Sequence, residues 1–305
     1  MNQPRQSKTK TAAPKKHYRY TAFLWLFPAL VLCGVFCVYP VLSAFYLSFT
    51  DATSTGVGSW IAFGNYQELF EDSVFWICMK NVLIFTAVGL VCGNFMTIFL
   101  AELLYNVRSK KFSKAIRFFF LLPILVPYVV IILVWRYIIF STGGLANELL
   151  KVFSLPAQNW YYGLSTDKLA IILTNFPWVG GTSFLIYLAG LQEISPDIIE
   201  ASKIDGCSSL RRVFTIDLPL IRPQLKYFVI MGIIGGLQNF DLQLLITGTG
   251  VGTTNSTNVP GYYIYDQAFL SDKMRFGYAS AVGVILFFIT MIFTLINLRS
   301  KKEAK

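Results

Sequence analysis

Two apolar segments carry side chains that can hydrogen-bond a hydroxylated solute and offer it an aromatic face. In chain order these are Asn175, Trp178, Thr182, Gly236, Gln238, Asn239 and Gln243. Amides supply donors and acceptors, and an indole ring can stack on a sugar ring. On a continuous helix, spacings of four, three and four would put Gly232, Gly236, Asn239 and Gln243 on one face. Small and amide residues also concentrate where membrane helices pack, so helix packing remains the alternative.

Residues for other chemistries are scarce. The single histidine, His17, disfavours histidine-based metal sites and catalytic triads. The five cysteines show no CxxC spacing, and the chain has no GxxxxGK phosphate loop. A membrane-embedded enzyme would need paired carboxylates or a metal cluster within the apolar segments, and none is found. We therefore expect no catalytic residue and no metal site.

The composition is that of a membrane protein. Of 305 residues, 55% are hydrophobic and 14% are charged, against roughly 25% charged in soluble domains. The sequence predicts an all-α integral membrane protein with six transmembrane helices, and Pro123 and Pro127 predict a bend in the third. The six segments are 21–50, 80–104, 117–140, 168–191, 225–247 and 278–298.

The cations predict the orientation. Residues 1–20, 105–117, 192–226 and 299–305 hold 20 of the 26 Lys and Arg residues, beside apolar segments. Because positive loops stay in the cytoplasm, both termini and residues 192–226 are predicted to be cytoplasmic. This clustering indicates topology rather than nucleic-acid binding, and no nucleic-acid module is present.

A polar stretch, 192–223, separates the fourth and fifth segments. Ser195 and Pro196 predict the N-cap and first turn of a short helix. Gly206 predicts its end, in a residue with positive φ. Ser208 or Ser209 can cap a second helix, which Pro219 is expected to end.

The first of these helices has an apolar face with no lipid to enter. Ile194, Ile198, Ala201 and Ile204 recur at helical spacing. The face is too small to form a core alone, so a groove on a partner is the simplest place to bury it.

Three elements of this stretch resemble the EAA loop of bacterial ABC importer permeases: Glu200-Ala201-Ser202, Gly206 and Ile216-Asp217-Leu218-Pro219. In that family the loop forms the coupling helix that docks into the ATPase subunit. The resemblance runs from about Phe49 to Arg299 and is closest to compact six-span carbohydrate-uptake permeases of the maltose type. Supporting motifs include Phe63-Gly64-Asn65-Tyr66, Asn81, Trp135-Arg136-Tyr137-Ile138 and Phe276-Gly277-Tyr278-Ala279. Residues 247–252 lack the proline of the family's outer loop.

The resemblance implies a coupling site and a set of partners. The coupling residues would be Glu200, Ala201, Ser202, Ile204, Asp205 and Gly206. The partners would be a homologous second permease, two ATPase subunits, an extracellular solute-binding protein and a sugar. ATP and Mg²⁺ would bind the ATPase, with no cofactor on this chain. In maltose-type relatives the positions of Asn175 and Asn239 help line the sugar site.

The sequence thus indicates a multi-pass permease of the bacterial cell membrane. Its expected parts are a basic tail (1–20), a first span with an outer loop (21–76), the permease domain (77–298) and a second basic tail (299–305). Import of glycerol phosphate or a polyamine on the same fold, and secondary transport, remain alternatives. An anionic substrate would need several cations along its path, and Arg136 is the one cation seen there.

Overall fold

The computed structural model describes residues 17–107, 109–247 and 255–300, with side chains for 23–107, 109–246 and 255–295. The described residues form helices, and their β pairing is limited to two isolated bridges, Thr50–Trp60 and Thr53–Gly56. Most of both predicted tails and residues 248–254, which include most of the stretch 247–252, lie outside the described residues. The chain divides into two units, 1–46 and 47–305.

The first unit is built on one long helical stretch. It comprises α1 (His17–Cys33), a π turn (Gly34–Val38) and α2 (Tyr39–Leu47), whose last residue belongs to the second unit. Most of its large apolar side chains are exposed, and Trp25 is 81% exposed. Phe23–Leu47 is long and apolar enough to cross a membrane.

The second unit contains the remaining helices. In chain order they are α3 (Gly64–Glu71), α4 (Ser73–Tyr105), α5 (Lys110–Leu121), α6 (Tyr128–Val134), α7 (Leu145–Val152), α8 (Asp167–Leu173), α9 (Gly181–Gln192), α10 (Pro196–Ile204), α11 (Ser209–Arg212), α12 (Leu218–Leu220), α13 (Arg222–Gln238), α14 (Asp241–Thr247), α15 (Pro260–Tyr265) and α16 (Phe276–Ser300). Further π turns lie at Trp135–Ile139, Val213–Asp217 and Asp266–Leu270.

Within the described residues, three helical stretches could each cross a membrane, or up to five if two bent pairs each count as one span. The third predicted segment is one of these pairs, because Lys110–Leu125 and Tyr128–Ile139 meet at 90°. The bend predicted at Pro123 and Pro127 is confirmed, since each proline removes a backbone donor from the helix. The other pair, Ser209–Leu220 and Arg222–Gln238, meets at 69°.

Two predicted continuous spans are wrong in detail. Segment 168–191 is interrupted between α8 and α9, and segment 225–247 is interrupted at Asn239. The helical spacing inferred for these segments therefore does not hold across either interruption. Both interruptions line a cavity.

Helix α4 is the centre of the second unit, with α9 and α13 packed along it. Glycines allow α13 to approach closely, because a Cβ on Gly232 would lie 2.3 Å from Leu90 Cδ2 and one on Gly236 would lie 2.4 Å from Thr86 Oγ1. At the other end of α4, Ala101 and Leu104 join a buried core with Tyr187 of α9.

The carboxylate of Asp72, which directly precedes α4, forms hydrogen bonds that link this end of α4 to α15 and α16. Asp72 caps α4 by accepting from Val74 N at 2.8 Å, and it also accepts hydrogen bonds from the hydroxyls of Tyr263 and Tyr278. Burial acts to raise the pKa of Asp72, but these hydrogen bonds outweigh it and hold the pKa below its usual value. Asn65, from the Phe-Gly-Asn-Tyr motif, donates to the carbonyls of Ser48 and Thr50 at 2.8 Å each.

Gly277, on α16, lies close to the backbone of the loop between α2 and α3. A Cβ there would lie 2.0 Å from the carbonyl oxygen of Thr50. We expect Gly277→Ala to destabilise the purified protein by roughly 1–3 kcal/mol, since backbone must move to admit the methyl group. Thermal unfolding in detergent measures the loss. Gly283→Ala on the same helix is the control, because its Cβ would meet Ile264 at an ordinary 3.9 Å. Equal melting temperatures for the two variants would contradict the expectation.

Candidate functional site

A cavity of about 870 Å³ lies beside α4, between the two interrupted segments. Of the seven residues predicted to line a solute path, five lie on its wall: Asn175, Trp178, Gly236, Asn239 and Gln243. The other two do not line it. Thr182 is exposed elsewhere on α9, and Gln238 faces a separate groove of about 430 Å³.

The interruption between α8 and α9 presents Asn175 and Trp178 through turns rather than along a helix. Trp178 has φ +57°, and its backbone N–H donates to Asn175 O at 2.7 Å. Its indole N–H donates to the Ile172 carbonyl at 3.0 Å, which fixes the ring orientation. Since that donor is occupied, Trp178 offers the cavity a ring surface rather than a hydrogen bond.

Asn175 is held at the wall with hydrogen-bonding capacity to spare. Tyr128 Oη donates to Asn175 Oδ1 at 3.0 Å, so the amide orientation is set and the Nδ2 donors remain for a solute. Asn175 is exposed on the cavity side of its turn. Tyr128 was not predicted from the sequence, although a tyrosine directly after Pro127 in an apolar run was an available signal.

The second interruption places Asn239 and Gln243 on the same wall. Asn239 is extended, with φ −74° and ψ 129°, and Gln243 follows on α14, buried at 4% exposure. Gly236 lies one turn before the interruption and meets Thr86 closely, so the packing alternative accounts for this glycine.

Helix α4 supplies a further polar group that sequence reasoning missed. Asn94 lines the cavity, and its Oδ1 accepts a hydrogen bond from Tyr187 Oη at 2.6 Å. An amide inside a long apolar run is unusual and could have identified it, because such residues in spans face protein or water.

The wall is neutral. Within the described part of the chain, the cavity lining has no Asp, Glu, Lys, Arg or His. Arg136 does not line it, and its guanidinium donates instead to the carbonyl of Leu245. The described residues also contain no group of His, Cys, Asp and Glu that could hold a metal ion. Amides, hydroxyls and aromatic rings on a neutral wall suit an uncharged hydroxylated solute.

Helix α10 forms as the sequence predicts. Ser195 Oγ accepts from Asp197 N at 3.3 Å, Pro196 begins the helix, and Gly206 follows it with φ +71°. Ser202 is buried at 6% exposure and donates to Ile199 O at 2.7 Å. The inner side of α10 packs on the rest of the unit, because Ile199 lies against the buried core formed by α4 and α9.

The outer side of α10 is uncovered. Ile204 is 86% exposed and Ile198 is 41% exposed, and Glu200 and Ala201 are exposed as well. Ile194 does not share this face. It is 7% exposed and packs with the α4–α9 core, since it precedes the Ser195 cap and lies outside the helix.

The second helix of the stretch begins as predicted and ends later. Ser208 caps α11 by accepting from Arg211 N at 3.3 Å. Pro219, expected to end the helix, lies within it, and α12 continues to Leu220. The π turn at Val213–Asp217 explains the difference, because Leu218 N–H bonds to Val213 O and the hydrogen-bond register changes just before the proline.

Comparison with known proteins gives a consistent result. Residues 93–302 match the family model "Binding-protein-dependent transport system inner membrane component". The lactose transport system permease protein LacF of Rhizobium radiobacter is 31% identical, covering 97% of this chain and 99% of LacF. The sulfoquinovosyl glycerol transport system permease protein SmoG of Agrobacterium fabrum is 32% identical, covering 92% of this chain and 90% of SmoG.

The fold is also found in a solved structure. A chain of a bacterial ABC transporter that imports the acidic polysaccharide alginate superimposes with a TM-score of 0.82, covering 94% of this chain and 96% of that one, at 22% identity. The match to the family model, together with the full-length likeness to permease proteins, establishes that this chain belongs to the binding-protein-dependent inner membrane components, the multi-pass permeases of ABC transporters.

Proposed function

We propose that this permease carries a neutral sugar or oligosaccharide across the cell membrane through the cavity beside α4. The observation that carries the proposal is the uncharged wall around about 870 Å³, in which amides, hydroxyls and aromatic rings are set among aliphatic side chains and glycines. The names of relatives support a sugar or oligosaccharide, since they include permeases for lactose, for arabinooligosaccharides and for sulfoquinovosyl glycerol. The neutral charge of the proposed substrate rests on the cavity wall alone. A phosphorylated or polyamine substrate is disfavoured, because neither would find a charged partner on that wall.

The proposed topology is six spans with both termini and the α10 loop in the cytoplasm. In this arrangement the interrupted segments α8–α9 and α13–α14 each count as one span. Residues 1–20 and 299–305 are the basic tails, residues 21–76 are the first span with an outer loop, and residues 77–298 are the permease domain. The cation distribution supports the orientation. The exposed outer side of α10 supports a docked partner there.

The proposed partners are an extracellular binding protein that delivers the sugar, a homologous second permease and two ATPase subunits. ATP and Mg²⁺ would be bound by the ATPase subunits, and this chain would bind no cofactor. Residues 200–206 would contact the ATPase through Glu200, Ala201, Ser202, Ile204, Asp205 and Gly206.

ATPase stimulation tests the function. The assembled complex, reconstituted with its binding protein in proteoliposomes, should hydrolyse ATP faster with one neutral sugar from a panel and should accumulate that sugar. A uronate oligosaccharide, a sugar phosphate and a polyamine complete the panel. Stimulation and uptake confined to a charged member would overturn the proposed substrate class.

Cysteine labelling tests the orientation. In a cysteine-free background, a cysteine at exposed Ser208 should resist an impermeant maleimide in intact cells and should react after the membrane is opened. A cysteine at Thr55, in the exposed outer loop before α3, is the control and should react in spheroplasts with intact membranes. The reverse pattern would invert the proposed topology.

A further inference from the structure

A buried charge cluster joins the α10–α12 loop to the end of α4. Arg212 is 8% exposed, and its Nε donates to Asp217 Oδ2 at 3.0 Å. Its Nη2 donates to Asn106 Oδ1 at 2.8 Å, and Asn106 Nδ2 donates to the Glu102 carbonyl at 2.8 Å. The guanidinium of Arg212 therefore links α11 to the end of α4, although residues 212 and 106 lie more than a hundred positions apart in the sequence.

The π turn makes this arrangement possible. Arg212 and Asp217 are five residues apart, a spacing that points to different faces of an α-helix. The turn at Val213–Asp217 bonds i to i+5 and brings residues five apart close to one another. Asp217, at 0% exposure, is thereby placed against Arg212 rather than in solvent.

The cluster also brings a second acidic side chain close to Arg212. Glu102 is 6% exposed and interacts electrostatically with both Arg212 and Asp217. Within the described residues, Asp217 Oδ1 has no hydrogen-bond partner. Moving α11 away from α4 would break the charge-assisted hydrogen bond from buried Arg212 to Asn106, so α11 and the end of α4 are expected to move together.

Helix α4 extends without interruption from this cluster to the cavity. It runs from Ser73 to Tyr105 and contributes Gly89, Gly93 and Asn94 to the cavity wall. We propose that Arg212 is a positioning residue that transmits displacement of the α10 loop to α4, and through α4 to the solute path. This inference rests on the proposed coupling role of the loop.

The test compares transport with ATP hydrolysis in the whole reconstituted complex. The double variant Arg212→Gln, Asp217→Asn replaces the ion pair by two neutral polar side chains, so no unpaired Arg212 or Asp217 charge remains. We expect the ATPase to co-purify normally and the sugar transported per ATP hydrolysed to fall about tenfold. Arg212→Lys keeps the charge but loses the planar fork, and it should give an intermediate ratio. Arg211→Gln, at an exposed neighbouring position, is the control.

Each outcome has a distinct meaning. A wild-type ratio in the double variant would overturn the proposal. Loss of ATPase co-purification would also overturn it, because the cluster would then serve docking rather than transmission. If the wild-type complex itself moved no sugar on ATP hydrolysis, the proposed function would fail instead.

Discussion

Gly206→Val is expected to uncouple ATP hydrolysis from transport while leaving the permease inserted and folded. Gly206 has φ +71°, where a β-branched residue is strained by about 1–2 kcal/mol or more. A Cβ at this position would meet nothing within 4 Å. The substitution therefore acts on the backbone conformation of the turn after α10, without creating a steric clash.

Variants at position 206 test whether the loss of coupling comes from the backbone conformation of the turn or from the addition of any side chain. Asparagine tolerates the left-handed region, so Gly206→Asn should retain most of the coupling that Gly206→Val loses. The measurements are co-purification of the ATPase and paired ATPase and uptake assays in proteoliposomes. Glu200→Ala, on the exposed side of α10, should show a weaker defect of the same kind. Normal co-purification and normal coupling in Gly206→Val would show that this loop is not the transmission element.

Asn175→Ala and Asn239→Ala are expected to impair sugar uptake while leaving assembly of the complex intact. Loss of one hydrogen bond to a bound hydroxyl costs about 1–3 kcal/mol, which corresponds to a factor of about 5–150. Both side chains line the cavity, and Asn175 is already oriented by Tyr128. Uptake kinetics at constant levels of assembled complex measure the effect.

The structure supplies controls for these two variants. Thr182→Ala and Gln238→Ala alter polar residues of the same two segments, but neither residue lines the cavity. Both should leave uptake close to wild type. Unchanged uptake kinetics in the Asn175 and Asn239 single variants and in their double variant would show that these residues serve helix packing rather than solute binding.

Local features of the chain were predictable from the sequence because neighbouring residues determine them. Ser195, Pro196 and Gly206 form the start and end of α10 through caps and backbone preferences that need no distant partner. Pro123 and Pro127 bend the third segment for the same reason. Apolar length indicated membrane-spanning helices, because burying backbone in lipid requires that its hydrogen bonds be satisfied internally.

Where the interrupted segments place their polar side chains was decided by the tertiary structure. Segments 168–191 and 225–247 are mostly apolar, so their length and composition predicted continuous helices, although Pro177 and the pair Gly180-Gly181 were an available signal for the first interruption. In the folded protein Trp178 takes φ +57° and Asn239 is extended, and both still reach one cavity because α4 and α6 pack around the interruptions. The contact of Arg212 with Asn106 likewise joins residues far apart in sequence, which no local spacing encodes. Such contacts form only when separate segments meet, and they determine which polar side chains face the cavity and which face a neighbouring helix.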